Sequence, residues 1–483
     1  MKQEGRAVTF VGRDEELQAL NELIDRNSFQ MAVIYGRRRV GKTALITHVC
    51  DMSSQRALMF TAREQSSANN LADFSQAIYE FFGIPSSVGA FGNWLDAFNF
   101  IAKQAQSTAE RPFIFVFDEF PYAAATEKSL PSVLQIAIDH AFKQTNITLI
   151  LCGSNEGFME SDVLGAKSPL YGRRTAQMRI KPFDLFTAAK LMPSHSTWED
   201  KVHYYATLGG TPYYLEQLDE SRSFSENIAA LCFRTSGILY EEPAMLMRQE
   251  LREPALYNSI LNAIGAGQTR PKEIAEKAGV DANTVGAYLK TLSALGLIQR
   301  TVPFGEDPSR SRKGLWMFKD PFFDFWYHFV NPYVPLIESG TTAGAVRYAT
   351  SGGVFETYVG TQFEGMCMQW LLRECREGRL DFQPTAFGKW WGNDPAAREQ
   401  TDIDIVMTDS FDCKLLLGEC KWRNSFDESE AIDKLKRRTA LISFAGTPEY
   451  YLFSKRRASE GTRAKASSDP SLTLVDAQSM LEG

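Results

Sequence analysis

The sequence is poor in the residues that build disulfide frameworks and zinc sites. Its 483 residues include only seven cysteines and five histidines. No two cysteines form a C-x-x-C pair, and the histidines show no zinc-type spacing. The cysteines are Cys50, Cys152, Cys232, Cys367, Cys375, Cys413 and Cys420. An odd and scattered set of this kind indicates a reduced compartment, of which the cytosol is the simplest.

Long hydrophobic runs and an excess of positive charge are also missing. The start, MKQEGRAVTF, lacks the apolar stretch of a signal peptide, and no segment approaches the roughly 18 uncharged apolar residues of a membrane span. We therefore expect a soluble, cytoplasmic protein with no membrane partner. With 52 basic and 59 acidic residues the net charge is −7, so any nucleic-acid contact must come from local patches.

The length and composition are those of an ordinary globular protein with two to four domains, at 44% hydrophobic and 23% charged residues. Over residues 1 to about 190, short apolar strands alternate with helical stretches. The predicted strands cover residues 31–35, 56–61, 113–117 and 148–152. This alternation predicts an α/β fold with a parallel sheet that is covered on both faces.

A glycine-rich loop lies between the first of these strands and an amphipathic helix. It comprises Gly36, Arg37, Arg38, Arg39, Val40, Gly41, Lys42, Thr43 and Ala44. The pattern G-x4-G-K-T lets backbone N–H groups surround phosphates, places Lys42 on the β- and γ-phosphates and offers the Thr43 hydroxyl to Mg²⁺. The strand and helix on either side are the context that this motif requires, so the loop predicts a nucleotide site.

Two carboxylates follow the apolar strand in "RPFIFVFDEF". Because open α/β sheets bind ligands at the carboxyl edge, Asp118 is expected to hold Mg²⁺ and Glu119 to orient water for attack on the γ-phosphate. The next strand ends in Ser154 and Asn155, which are either a polar γ-phosphate sensor or an ordinary strand-end turn. The chain has no N-K-x-D guanine motif, which favours ATP over GTP.

The segment "RPKEIAEKAGVDANTVGAYLKTLSALGLIQR" has the apolar spacing of a helix-turn-helix. Its second helix presents a single basic residue, Lys290, and the predicted wing adds Arg310, Arg312 and Lys313. This is enough charge for phosphate contact but not for a strong electrostatic footprint. The segment is therefore either a DNA-binding module or a rigid spacer and partner surface.

Near the C-terminus, "TDIDIVMTDSFDCKLLLGECKW" predicts a β-hairpin with a turn near residues 411–412. The period of two places Asp402 and Asp404 on one face and Glu419 and Lys421 on one face. Pairing sets Asp404 opposite Glu419 at a Cβ separation of about 5 Å, where two carboxylates suit a bound Mg²⁺. A lysine on that face can stabilise a phosphate or position water. The alternative is a solvated hairpin face.

The front of the chain resembles the archaeal-type ATPases, which are AAA+/STAND-like P-loop proteins. The resemblance rests on "FVGRDEELQALNELI", "GRRRVGKT", "VFDEF", "LCGSN", "SPLYGRRTAQMRIKPFD" and "LGGTPYYL". It implies that Arg13 lies near the adenine, that Arg173 or Arg174 is a sensor or trans-acting arginine, and that Pro212 belongs to a lid element which senses the nucleotide. Of these two arginines, Arg174 is expected to contact the phosphates.

The C-terminal hairpin resembles the PD-(D/E)xK restriction-endonuclease-like fold, with "FEGMCMQWLLREC" as its first helix and Glu364 as an additional carboxylate. Asp402 stands where that family often has Glu. The resemblance implies five segments. They are a P-loop ATPase core (1–192), a helical lid (193–250), a winged helix-turn-helix (251–320), an aromatic segment with a linker (321–353), and a nuclease-like α/β domain (354–483).

Two functions remain open at this stage. In the first, ATP binding or hydrolysis controls a C-terminal nuclease that cuts DNA with Mg²⁺ held by Asp404, Glu419 and Glu364. In the second, the chain is a STAND-type switch in which ATP sets conformation or oligomerisation, and the C-terminal domain is a non-catalytic platform for another protein or for further copies of the chain. Both functions need Gly41, Lys42, Thr43 and Asp118 with ATP and Mg²⁺, whereas only the first needs Asp404, Glu419 and Lys421.

Overall fold

A computed structural model describes residues 10–85, 87, 89–107 and 112–482. Residues 1–9 lie outside the described residues. They are most of the N-terminal stretch in which no signal peptide was expected. The chain divides into two compact units. The front unit comprises residues up to 182 together with 211–213, and the rear unit comprises residues 183–210 and those from 214 onward. Among the described helices, none is long and apolar enough to cross a bilayer.

The front unit contains a parallel sheet of five strands in the order β2-β3-β4-β1-β5. The strands are β1 (Gln30–Tyr35), β2 (Arg56–Thr61), β3 (Phe113–Asp118), β4 (Thr148–Gly153) and β5 (Ala176–Arg179). The helices are α1 (Asp14–Ile24), α2 (Lys42–Met52), α3 (Ser67–Phe82), α4 (Trp94–Ser107), α5 (Phe120–Thr126), α6 (Leu130–His140) and α7 (Glu156–Phe158). The four predicted strands are confirmed to within one residue at each end, whereas β5 was not predicted.

Both faces of this sheet are covered. Met31, Val33 and Tyr35 of β1 pack into a core with α3, α4, α5 and α6. The intervening residues Ala32 and Ile34 pack into a second core with α1 and α2. Because successive side chains of a strand point to opposite faces, an uninterrupted apolar strand serves both layers. The predicted parallel α/β architecture is confirmed.

The rear unit begins with helices and a small antiparallel sheet. Its first helices are α8 (Leu185–Ala188), α9 (Trp198–Leu208), α10 (Pro212–Leu215, whose first two residues belong to the front unit), α11 (Phe224–Cys232) and α12 (Glu242–Glu250). Next come α13 (Pro254–Gly265), α14 (Pro271–Ala278) and α15 (Val285–Ala294), followed by the paired strands β6 (Ile298–Thr301) and β7 (Leu315–Phe318). α14 is capped at its C-terminus by Gly279, whose φ of 68° suits the left-handed turn before the next helix.

A second five-stranded sheet, in the order β12-β11-β10-β9-β8, completes the rear unit. β8, β9 and β10 are antiparallel, while β10, β11 and β12 are parallel. The strands are β8 (Ala386–Asp394), β9 (Glu399–Asp409), β10 (Lys414–Lys421), β11 (Thr447–Ser454) and β12 (Leu472–Asp476). The remaining helices are α16 (Pro321–Phe325), α17 (Val334–Glu338), α18 (Ala343–Thr350), α19 (Gly352–Arg376), α20 (Glu428–Arg438), α21 (Glu460–Ser468) and α22 (Ala477–Glu482).

The glycine- and threonine-rich stretch at the end of the predicted aromatic segment and linker (321–353) is not an irregular linker. It contains α18, and α19 begins two residues after α18 ends. Ala345 and Ala349 are buried on one face of α18. Tertiary packing of that face therefore outweighs the low helix propensity of the glycine and threonine residues.

Candidate functional site

The glycine-rich loop at residues 36–44 joins β1 to α2 in the front unit. Gly36 has φ 153°, and a Cβ there would lie 2.3 Å from the carbonyl oxygen of Ile180. Gly41 has φ 90° directly before α2, while Ala44 is exposed on the first turn of that helix. Side chains are thus disfavoured at both glycines, which lets the backbone approach a ligand closely.

The side chains predicted to contact the phosphates and Mg²⁺, Lys42 and Thr43, lie at the start of α2. The buried Lys42 donates from Nζ to the carbonyl oxygens of Gly36 at 2.8 Å and Arg37 at 3.1 Å. Thr43 donates from Oγ1 to Asp118 Oδ2 at 3.2 Å. The predicted loop and the predicted strand-end carboxylate therefore meet. A hydroxyl and a carboxylate in contact form a donor set that suits Mg²⁺.

Glu119 is held next to Asp118 in an uncommon backbone conformation. Its φ is 50°, and its amide donates to Asp118 Oδ1 at 2.9 Å. Glu119 Oε2 accepts hydrogen bonds from Ser154 N at 3.2 Å and Ser154 Oγ at 2.8 Å. Asn155 instead accepts from Phe158 N and caps α7. Of the two predicted polar residues after β4, it is Ser154 that contacts the carboxylate.

A short segment far along the chain contacts the loop. Arg37 donates from Nη2 to Thr211 Oγ1 at 2.9 Å, and both residues are buried. The Arg39 guanidinium lies 4.5 Å from the centre of the Tyr213 ring. Pro212 Cγ is 3.7 Å from the Cβ position of the loop's second glycine. The sequence motif "LGGTPYYL" thus brings Pro212 to the phosphate loop.

Two further predicted arginines fix the shape of the loop. Arg13 donates from Nη2 to the carbonyl oxygens of Val40 at 3.0 Å and Lys181 at 2.7 Å. Arg38 donates to the phenol oxygen of Tyr122. Arg13 thereby ties the middle of the loop to the chain that follows β5, a role that its expected place near the adenine did not suggest.

Arg173 and Arg174 have different surroundings. Arg173 forms an ion pair with Asp139 at 2.5 Å, and its hydrogen bonds, with those from a neighbouring lysine, lower the pKa of that carboxyl to about 2. The guanidinium of Arg174 lies 5.7 Å from the centre of the Tyr171 ring and donates to the carbonyl oxygen of Leu164. Arg173 is therefore held by a structural partner, whereas Arg174 lies on an exposed ring.

In the rear unit the predicted hairpin has the predicted register. β9 and β10 pair down to Ile405 opposite Gly418, which places Asp404 and Glu419 at the next position. Asp404 Oδ2 also accepts a hydrogen bond from Cys420 N at 2.9 Å. Continued by one position, this register sets Asp404 against Glu419, and Glu364 of α19 lies close enough for its charge to interact with Asp404.

A lysine that the sequence analysis missed lies among these carboxylates. Lys389 Nζ is 2.8 Å from Glu364 Oε2, 3.1 Å from Asp402 Oδ2 and 3.2 Å from Asp404 Oδ1. Burial and the charge of Asp404 raise the pKa of Glu364, although Lys389 opposes this. The only sign of Lys389 in the sequence was a lone lysine among aromatic residues in "AFGKWW", the first part of β8.

Glu419 has its own cationic partners. Lys421 Nζ lies 2.5 Å from Glu419 Oε1, and the buried Arg438 of α20 lies 3.3 Å from Oε2. Burial and the nearby Asp404 nevertheless raise the pKa of Glu419. Arg438 was not predicted, because 19 residues separate it from its partner and no motif includes it. Within the described chain, four carboxylates and three cations therefore form one cluster at this end of the sheet.

A different group has the ligand spacing of a metal site. Among the described residues, Glu199, His203 and Glu356 form this group, and one potential ligand atom from each lies within 4.8 Å of the other two. However, Lys455 Nζ is 2.6 Å from Glu199 and 2.7 Å from Glu356. The buried ammonium of Lys455 already bridges the two half-buried carboxylates, so this group is an ion-pair network.

Comparison with known proteins gives the family. A family model for an ATPase domain found predominantly in Archaea matches residues 10–218, and a model for archaeal and bacterial proteins of unknown function matches residues 326–432. An uncharacterised protein of Methanocaldococcus jannaschii is 31% identical over 444 residues, which cover 92% of this chain and 94% of that protein. The chain belongs to this archaeal-type ATPase family. Its front unit is a P-loop ATPase domain, followed by a C-terminal domain of unknown function.

Other similarities are shorter or weaker. An uncharacterised ATP-binding protein of Methanocaldococcus jannaschii is 51% identical over 39 residues, which are 8% of this chain and 66% of that protein. The Walker-type ATPase of Pyrococcus abyssi is 19% identical, with a TM-score of 0.47 over 68% of this chain and 98% of that one. The Aeropyrum pernix ORC2 protein is 15% identical, with a TM-score of 0.45 over 71% of this chain and 98% of that one.

Proposed function

We propose that the front unit binds ATP and hydrolyses it at the loop of residues 36–44. The observation that carries the proposal is the contact of 3.2 Å between the Thr43 hydroxyl and the Asp118 carboxylate, with Lys42 beside it in the loop. In this proposal Thr43 and Asp118 hold Mg²⁺, whose charge offsets that of the β- and γ-phosphates. The Lys42 ammonium exchanges its carbonyl partners for phosphate oxygens, which are stronger acceptors because they are charged.

Glu119 is the proposed base that orients the attacking water. Its backbone amide donates to Asp118, and its carboxylate accepts two hydrogen bonds from Ser154, so its position is fixed before substrate binds. A carboxylate held in this way orients water at little entropic cost, since its own rotamer is already restricted. Ser154 is thus a positioning residue rather than a group that touches the phosphate.

The segment 211–213 is the proposed sensor of the nucleotide. Its contacts with Arg37 and Arg39 connect the phosphate loop to part of the predicted lid at 193–250. A phosphate that draws either arginine towards itself would change those contacts. We propose Arg174 as a further phosphate contact, because it lies on an exposed ring, whereas Arg173 is held in an ion pair with Asp139.

For the rear unit we propose a nuclease-like site that acts on DNA. Asp404 and Glu419 lie opposite each other on β9 and β10, and Glu364 adjoins them from α19. Their oxygen atoms suit Mg²⁺, which would supply Lewis-acid activation of a phosphodiester, and Lys421 would face the phosphate. The helices and small sheet of residues 251–320 are the proposed winged helix that contacts DNA.

Two observations favour the second candidate, a STAND-type switch. Lys389 forms ion pairs with two of the carboxylates that the nuclease proposal needs, Glu364 and Asp404, and with the neighbouring Asp402. In the proposed wing, Lys313 and Arg310 form ion pairs with Glu306 and Asp307, which reduces the charge available to DNA. In this candidate the rear unit is a platform for another protein or for further copies of the chain, and ATP sets its state.

The test applies two independent assays to the purified wild-type protein and to two variants. Phosphate release from ATP and cleavage of several DNA forms are measured with Mg²⁺, each with and without the other substrate. Asp118→Asn should abolish phosphate release, and Asp404→Asn should abolish cleavage while leaving phosphate release intact. Phosphate release that persists in Asp118→Asn contradicts the front-unit proposal. Wild-type protein that hydrolyses ATP but cuts no DNA form supports the switch.

A further inference from the structure

Lys389 occupies the centre of the carboxylate cluster in the rear unit. Its ammonium lies between 2.8 and 3.2 Å from oxygen atoms of Glu364, Asp402 and Asp404. Three anionic partners match the three N–H donors of an ammonium group. An ammonium with a complete set of charged acceptors is a strong local neutraliser, because charge-assisted hydrogen bonds are about twice as strong as neutral ones.

The backbone around Lys389 is built to keep it there. β8 pairs with β9 through an irregularity, so that Gly388 faces Val406 but Trp390 faces Ile403. The extra residue lies on β9 beside Asp404, and such bulges re-aim side chains next to functional sites. On the other edge of β8, Phe304 from the β6–β7 connection donates its amide to the Lys389 carbonyl at 2.9 Å. Lys389 is therefore anchored from both sides of its strand.

An ammonium and a divalent cation require the same oxygen atoms here. Mg²⁺ binds carboxylate oxygens at about 2.0–2.1 Å and demands a near-octahedral set of them or of water. The Lys389 ammonium already approaches Asp404 and Glu364 to hydrogen-bonding distance. A second cation among the same oxygens would be repelled strongly, since part of the cluster is buried and poorly screened.

We propose that Lys389 is a built-in counter-ion that keeps divalent cations out of the Glu364–Asp402–Asp404 cluster until its ammonium leaves. The inference rests on the proposed metal site of the rear unit, but it concerns cation binding and not cleavage. The ammonium offsets part of the charge of these three carboxylates. It also makes the rear unit inactive at rest, so that any cleavage requires a rearrangement of β8 or of the Phe304 loop.

The experiment measures Mn²⁺ binding by the full chain through loss of the free-ion electron paramagnetic resonance signal. All variants carry Asp118→Asn, which removes a metal ligand of the front unit. Lys389→Met should bind Mn²⁺ about tenfold or more tightly than the parent, a change that corresponds to one charge-assisted contact. Lys389→Arg keeps the charge and should show no gain. Adding Asp404→Asn to Lys389→Met should abolish the gain.

Lys414→Met is the matched control, because it removes a lysine from the same sheet whose partner Asp381 is exposed. It should leave Mn²⁺ affinity unchanged. If Lys389→Met does not fold, Lys389→Met/Asp402→Asn takes its place, since it also removes one uncompensated carboxylate. A Lys389→Met protein that binds Mn²⁺ no better than Lys414→Met overturns the inference, as does tight, Asp404-dependent binding by the parent.

The outcome separates this inference from the proposed nuclease. With the Asp118 side chain restored, Lys389→Met is also assayed on DNA with Mn²⁺. Tighter Mn²⁺ binding without cleavage supports the counter-ion and contradicts the nuclease. Cleavage by the wild type with unchanged Mn²⁺ affinity in Lys389→Met supports the nuclease and contradicts the counter-ion.

Discussion

Replacing Lys455 tests how strongly a buried cation holds α9, α19 and the end of β11 together. The Lys455 side chain is 3% exposed and pairs with Glu199 of α9 and Glu356 of α19 at 2.6 and 2.7 Å. Its ammonium also lies 4.8 Å from the centre of the Trp422 ring. Removing one partner of a fully buried ion pair costs roughly 3–5 kcal/mol. Because the carboxylates are 26% and 33% exposed, we expect Lys455→Met to destabilise the rear unit by about 2 kcal/mol.

The effect of Lys455→Met should depend on pH in a defined direction. Although burial alone would raise it, hydrogen bonds from His203 and Lys455 lower the pKa of Glu356 from 4.5 to about 2. A carboxyl whose pKa is lower in the folded state than in the unfolded state stabilises the folded state, and this contribution is complete above pH 4.5. The contribution is lost as the pH falls towards 2. The difference between wild type and Lys455→Met should therefore shrink as the pH falls from 6 to 3.

The assay is urea unfolding followed by tryptophan fluorescence, with the transition midpoint compared at each pH. Lys414→Met is the control, because its partner Asp381 is exposed, and its midpoint should match wild type. Two results would refute the reasoning. One is a Lys455→Met midpoint equal to that of Lys414→Met at neutral pH, and the other is a difference that stays constant down to pH 3.

Other predictions concern the two proposed sites. Lys42→Ala should weaken ATP binding by about tenfold or more in calorimetry, because one charge-assisted phosphate contact is lost, and unchanged affinity would remove the loop from the site. If the wild type cuts DNA, Asp404→Ala, Glu419→Ala and Lys421→Ala should each abolish cleavage nearly as fully as the triple change, since the residues act as one unit. In the Lys389→Met background, where the competing ammonium is absent, divalent-ion binding should weaken for Asp404→Ala and Glu419→Ala but much less for Lys421→Ala, and equal losses in all three would contradict the assigned ligands. Ser154→Ala should lower the ATP turnover number by about 3- to 10-fold with unchanged ATP affinity, the scale of one hydrogen bond, and a fall in affinity instead would contradict the positioning role.

The features that the sequence predicted are those set by local pattern. The strands β1, β3 and β4 are uninterrupted apolar runs, and their ends were predicted to within one residue because polar or glycine-rich turns follow. The register that opposes Asp404 to Glu419 followed from the turn and the period of two alone. The strand ends and the hairpin register can be predicted without knowledge of the rest of the molecule.

The features that were missed depend on distant parts of the chain. Lys389 reaches the carboxylates because a bulge changes the register of β8 against β9, and no sequence period predicts a bulge. Arg438 and Lys455 each meet partners on other elements. α18 is helical because its buried face finds a neighbour, although its composition resembles a linker. Electrostatic clusters of this kind are properties of the folded chain, since burial sets both their cost and their partners.

The most direct test of the central claim compares ATP binding with ATP hydrolysis in Glu119→Gln. The substitution keeps the shape of the side chain and its acceptor for Ser154 but removes the carboxylate charge that orients water. We predict that the variant binds ATP with wild-type affinity and that its single-turnover hydrolysis rate falls by about 100-fold or more. Hydrolysis at the wild-type rate by Glu119→Gln would contradict the account of the front unit.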